Sequence, residues 1–210
     1  MKPFFVIMIH CCVVLGLSAA GSSVSSADPG CTTQYECINN VQPVPVAVFG
    51  GDYALDDVHL ASTQTVLCGI DFKGRAAGVG ILTALVYQGS PDNQAPGALL
   101  AGPVDLVNPP ITTMSQVVHF DFPGVVLPKD LWIGLKWTDT AGDGGAWGFA
   151  MRGDVTIGSS QDVIYEVFPP NAPVFEDIPD YTANFYMVVS GSQATPAHDA
   201  TWGQLKATYR

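Results

Sequence analysis

The sequence predicts an all-β fold, an antiparallel β-sandwich of jelly-roll type, and three observations predict it. Of 210 residues, 48% are hydrophobic and only 13% charged, enough apolar material for one packed core and too much for a chain that stays unfolded. The 22 Gly and 16 Pro recur as punctuation, in clusters such as Gly50-Gly51-Asp52, Gly89-Ser90-Pro91-Asp92-Asn93 and Asn108-Pro109-Pro110. Between these clusters lie short apolar stretches, several alternating with period two, at spacings that suit strands of two packed sheets.

Taken in order, Met1 and Lys2 precede an apolar run from Phe4 to Leu17 and the small residues Ser18, Ala19 and Ala20. This is the layout of a secretory signal peptide within residues 1–27, and cleavage after Ala20 or Ala27 fits equally. The run is shorter than the roughly 20 residues that span a bilayer, and no later segment is long and apolar enough to do so. A polar lead-in occupies 28–43 and the sandwich domain 44–190. Its strands are expected near 44–49, 58–61, 65–72, 79–87, 99–107, 116–122, 131–137, 146–151, 163–168 and 183–189.

Alternation assigns faces. Val118, Phe120 and Phe122 point inward and His119 and Asp121 outward; Leu131, Ile133, Leu135 and Trp137 point inward and Trp132 outward. Residues 81–87 are apolar on both faces, as a central strand covered on both sides would be. A linker follows at 191–200. The tail at 201–210 suits a short helix whose stripe is Trp202, Leu205 and Tyr209.

Cys11 and Cys12 leave with the signal peptide, so Cys31, Cys37 and Cys68 remain: one disulfide and one leftover thiol in an oxidising compartment. Three pairings are open. Cys31 and Cys37, close together in a polar stretch, are the expected pair, and Cys68, on the face of Val66, Ile70 and Phe72, is the expected buried thiol. His59, His119 and His198 stand singly, which gives no zinc-ligand spacing. For ions the candidate is calcium. Asp139 and Asp143 share the loop Asp139-Thr140-Ala141-Gly142-Asp143-Gly144-Gly145, although the spacing is not that of an EF-hand and a hairpin turn selects the same residues. Asp52, Asp56 and Asp57 form a second acidic cluster with the same two readings.

The pieces Asp56-Asp57-Val58-His59-Leu60, Gln94-Ala95-Pro96-Gly97-Ala98-Leu99-Leu100, Leu131-Trp132-Ile133-Gly134-Leu135, Ile157-Gly158-Ser159-Ser160-Gln161-Asp162 and Ala183-Asn184-Phe185 carry a resemblance. From Asp56 to Val189 the chain resembles a large group of uncharacterised exported bacterial β-sandwich proteins with variable C-terminal anchoring or sorting signals. The resemblance implies a jelly-roll-like exported domain and no established catalytic residues. The chain departs from the group in lacking a Pro-Glu-Pro element, membrane helix and basic cluster at its end. Instead, residues 201–210 look like a terminal tag found on unrelated exported proteins.

Eight Lys plus Arg against 19 Asp plus Glu give a net charge of −11, which argues against a nucleic-acid partner. No Gly-x-Ser-x-Gly elbow, His-Glu-x-x-His helix or phosphate-binding loop occurs. Arg152-Gly153-Asp154 reads as an ordinary turn after a strand. Outward Trp132 and Tyr186, joined by Trp147 from its glycine-rich loop, are the candidate rings for stacking on a sugar. Glu166 and Asp121 are the candidate outward acids for polysaccharide cleavage. The expected function is a secreted, non-catalytic binding module, periplasmic or at the cell surface, whose partner is a polysaccharide or cell-surface component. The alternatives are a structural or adhesive envelope protein displayed through its tail, and a polysaccharide-active enzyme.

Overall fold

The computed structural model describes residues 30–42, 46–90, 95–168, 174–177 and 183–193. The expected signal peptide and the tail with Trp202, Leu205 and Tyr209 lie outside the described residues. The fold is all-β and antiparallel, as expected. No helix among the described residues is long and apolar enough to cross a membrane.

One strand organises the molecule: Tyr53–Ala77, 25 residues, numbered β3 because Thr32–Val41 (β1) and Ala47–Phe49 (β2) precede it. Straight, it would run about 80 Å at about 3.3 Å per residue, roughly twice the width of a domain of this size, so it must bend. Its pairing with a neighbour breaks register between His59 and Gln64, where the two expected strands at 58–61 and 65–72 join into one.

The first part of β3 lies between two neighbours. On one side come Val126–Asp139 (β7), then Gly80–Gln88 (β4) and Leu99–Val107 (β5). On the other come Val163–Val167 (β10) and Val174–Asp177 (β11). The second part pairs with Met187–Gln193 (β13), beyond which lie β1, Met151–Ile157 (β9) and Asn184–Phe185 (β12). Its other edge takes Gln116–Asp121 (β6) and Ala146–Phe149 (β8), the latter paired with β2. Hydrogen bonding is thus continuous through β3 among the described strands.

Both parts feed one core. Val58, Ile133 and Leu135 from the first part join Leu67, Phe72, Phe120 and Val189 from the second. The inward register expected for β6 and for Leu131, Ile133, Leu135 and Trp137 is the one observed. β4, apolar on both faces, is covered on both and sits one strand in from edge strand β5. Glycine makes room for two tryptophans: a Cβ at Gly74 would meet Trp147 Cζ2 at 2.4 Å, and one at Gly80 would meet Trp137 Cζ2 at 2.5 Å.

Four expectations give way. The polar lead-in holds β1, an interior strand between β13 and β9 whose Tyr35 and Cys37 are fully buried. The expected linker loses its first residues, since β13 runs to Gln193. Arg152-Gly153-Asp154 lies within β9, not in a turn, and Arg152 is buried. The disulfide joins Cys31 to Cys68, not to Cys37, and Cys37 is the buried thiol.

A β-bulge explains the exchange of cysteines. Ser190 of β13 pairs with Gly69 and Gly191 with Leu67, which leaves Cys68 as the extra residue. Strict alternation would bury Cys68 with Ile70 and Phe72. The bulge puts Leu67 in the core instead and turns Cys68 to the outer face, within reach of Cys31 at a Cα–Cα distance of 6.4 Å.

Candidate functional site

The outer face of β1, β13, β3 and β6 carries an open groove of about 860 Å³. Ser190 and Ser192 reach it from β13, Asp71 from β3, His119 and Asp121 from β6, and Thr33 from β1. Cys31 and Cys68 also line it, so the bridge ties the chain before β1 to the site.

At its centre an imidazole is clamped by two carboxylates. Asp71 and His119 are directly cross-strand, and His119 Nδ1 lies 2.5 Å from Asp71 Oδ1. On the other side of the ring, Nε2 lies 3.1 Å from Asp121 Oδ1. Desolvation draws the His119 pKa down, but the hydrogen bonds and charges of Asp71 and Asp121 outweigh it and hold the group above the ordinary histidine range. Gly69 provides the space: a Cβ there would meet His119 Cε1 at 2.7 Å and Nε2 at 2.9 Å. The bulge glycine therefore lets the ring lie over the strand.

A second polar cluster is buried and has a different character. Asp57, fully buried on β3, lies 2.8 Å from Ser160 Oγ and accepts the N–H groups of Gln161 at 2.6 Å and Val163 at 3.0 Å. Ser160 Oγ is also 2.6 Å from Asn184 Oδ1, and Asn184 Nδ2 donates to Asp162 at 2.8 Å. Neighbouring Asp56 accepts the Phe185 N–H at 2.8 Å. Burial, then the Asp57 charge, push the Asp56 carboxyl well above the usual range. Burial and Asp56 likewise raise the Cys37 thiol to about 12. Asp56 and Asp57, the stretch 157–162 and Asn184-Phe185 meet here, holding the 158–163 turn and β12 against β3. The cluster is a structural fastening, in which Asp57 satisfies N–H groups that the turn would otherwise bury unpaired.

The expected sugar-stacking tryptophans are not available. Trp132 points away from the main core, as alternation requires, but that side is covered too: it is fully buried in a second cluster with Leu55, Leu85 and Tyr165. Its ring centroid lies 6.0 Å from that of Tyr165. Trp147 is fully buried over Gly74. Tyr186 alone keeps partial exposure, at the end of the groove-bearing face. Of the two candidate acids, Glu166 is buried on β10, while the Asp121 side chain is 92% exposed at the groove.

Asp139 and Asp143 hold their own turn. Asp139 accepts N–H groups from Ala141 at 3.0 Å, Gly142 at 2.7 Å and Gly144 at 2.9 Å, and Asp143 accepts that of Gly145 at 3.1 Å. Desolvation opposes the effect, but the N–H donors hold the Asp139 carboxyl below its usual range. These donors point at the oxygens a cation would need. Among the described residues no group of three or more His, Cys, Asp or Glu is arranged to hold a metal ion.

Comparison of the chain with family models, with curated proteins and with solved structures returns no match.

Sequence reasoning found His119 and Asp121 as outward neighbours and Tyr186 as an outward ring. It missed Asp71 as their partner, because cross-strand register between β3 and β6 is not written in either strand alone. The one local signal was Gly69 next to Cys68, a glycine inside an otherwise regular strand.

Proposed function

We propose that the protein is an exported, non-catalytic binding module that takes a polysaccharide along the groove over β1, β13, β3 and β6. The observation that carries this reading is the groove itself: open, and lined by hydroxyls and carboxylates of four adjacent strands. Such groups exchange hydrogen bonds with sugar hydroxyls, and a sheet floor keeps them in fixed register, so little ordering entropy is lost on binding. The disulfide, a bond that persists in oxidising compartments, supports a location outside the reducing cytoplasm.

Both ring nitrogens of His119 face carboxylates, which holds the imidazole as a paired group on the groove floor. Asp71 and Asp121 share one imidazole, which makes them positioned acceptors for sugar hydroxyls.

The test is a glycan array and an insoluble-polysaccharide pull-down with the exported chain, beside Asp71→Ala and Trp132→Phe. Binding that Asp71→Ala weakens tenfold or more and Trp132→Phe leaves intact supports the groove. Binding indifferent to Asp71, or no retention on any glycan by folded protein, overturns the reading.

A further inference from the structure

The groove-bearing face ends in a basic corner. Lys73 follows Asp71 by two residues on β3, so both project outward, about 7 Å apart along the strand. The Lys73 N–H donates to Tyr186 O at 3.2 Å, which places Tyr186 beside it. Lys73 Nζ lies 5.3 Å from the Tyr186 ring centroid, and Arg152 Cζ, from β9, lies 5.2 Å from it. Both cations line a cavity of about 410 Å³ that also takes in Gln42 and Ser115.

Two features mark this corner as built. Arg152 is only 8% exposed, and its guanidinium is fixed by Nε donating to Ile38 O at 2.9 Å and Nη1 to Met151 O at 2.6 Å. Neither Arg152 nor Lys73 forms an ion pair with a carboxylate among the described residues, in a chain with 19 acidic and eight basic side chains. A desolvated guanidinium that shares an aromatic ring with an ammonium is stabilised by a bound anion, and the remaining N–H groups of the planar fork match the oxygens of a carboxylate or sulfate.

We propose that Lys73 and Arg152, both held against the Tyr186 ring, form an oxyanion subsite, and that the polysaccharide held in the groove bears a carboxylate or sulfate seated there. This rests on the polysaccharide reading above. Asp71 and Asp121 repel anions along the rest of the face, so the charged sugar is placed at the Lys73 end, with uncharged sugars over His119.

The test titrates the full exported chain with a neutral oligosaccharide that ends in a single uronic acid, with its carboxyl-reduced neutral counterpart and with inorganic sulfate, in wild type and in Lys73→Gln. Lys73 is half-buried on the face of β3 opposite core residue Phe72, and unchanged circular dichroism and melting establish that the variant folds. The expected result is at least tenfold tighter binding of the acidic oligomer than of the reduced one. That preference is lost in Lys73→Gln and weakened by added salt. Equal affinity for the two oligomers, or a preference that survives Lys73→Gln, overturns the subsite and leaves the polysaccharide reading standing. A sulfate-induced rise in melting temperature that Lys73→Gln abolishes, with neither oligomer bound, supports the subsite and overturns the polysaccharide reading. Silence toward all three probes overturns both.

Discussion

Removing the Cys31–Cys68 bridge should cost the domain about 4 kcal/mol. The cysteines are 37 residues apart, and closing a loop of that size removes roughly 13 cal/mol/K of unfolded-chain entropy, about 3.8 kcal/mol at 25 °C. A bridge to Cys37 would close a loop of about six residues and stabilise by only about 2.2 kcal/mol on the same arithmetic. For a domain of this size, 4 kcal/mol corresponds to a fall in melting temperature of roughly 10 °C. The assay is chemical and thermal unfolding of wild type, Cys31→Ser, Cys68→Ser, the double variant and Cys37→Ala. The three bridge variants should fall together, and reductant should carry wild type down to their level. Cys37→Ala should keep the bridge and lose only about 1 kcal/mol of buried contact. Thiol titration of the chain without residues 1–27 should find one reactive group, and only after unfolding, because Cys37 is buried. A thiol that reacts in the native state, or a Cys37→Ala variant that behaves like the bridge variants, would refute the reasoning.

Other consequences follow from the same geometry. Gly69→Ala should push the His119 ring off the strand, and NMR titration should then show its pKa falling back toward the ordinary histidine value; an unchanged titration contradicts the clamp. In wild type, the stability that the clamp contributes is fully present below the unfolded histidine pKa and is lost as pH rises through the higher folded one. Asp56, whose folded pKa is raised, likewise favours the fold at low pH and opposes it as pH rises through that value. Asp56→Asn should therefore melt higher than wild type at alkaline pH and lose that advantage in acid, and a pH-independent difference would refute the assignment. Trp132→Ala should cost about 3–5 kcal/mol as a core truncation, and a variant with wild-type stability would show that the ring is not buried.

How much of this was legible in the sequence varies by kind of information. Period-two alternation located the strands of the second half and the inward faces of β6 and β7, because each pattern is local. It failed at β1, whose Thr, Gln, Glu and Asn residues suggest a solvated lead-in, yet Tyr35 and Cys37 are enough to anchor an interior strand. It failed at Cys68 because a one-residue bulge reverses every later side chain, and only the pairing with β13 reveals the bulge. Trp132 was placed on the correct side of β7, but alternation says nothing about whether that side is covered. The site has the same mixture. His119, Asp121 and Tyr186 were readable as outward residues, whereas Asp71, Lys73 and Arg152 join them only through the order of β9, β13, β3 and β6.

The measurement that tests the account most directly is an amide chemical-shift map of the protein with a glycan that the array identifies. The account predicts perturbations that run along 187–192 of β13, 69–73 of β3 and 117–121 of β6, with His119 side-chain signals among the largest. Perturbations confined to the opposite face, around Leu55, Leu85 and Tyr165, or to the 139–145 turn, would contradict it.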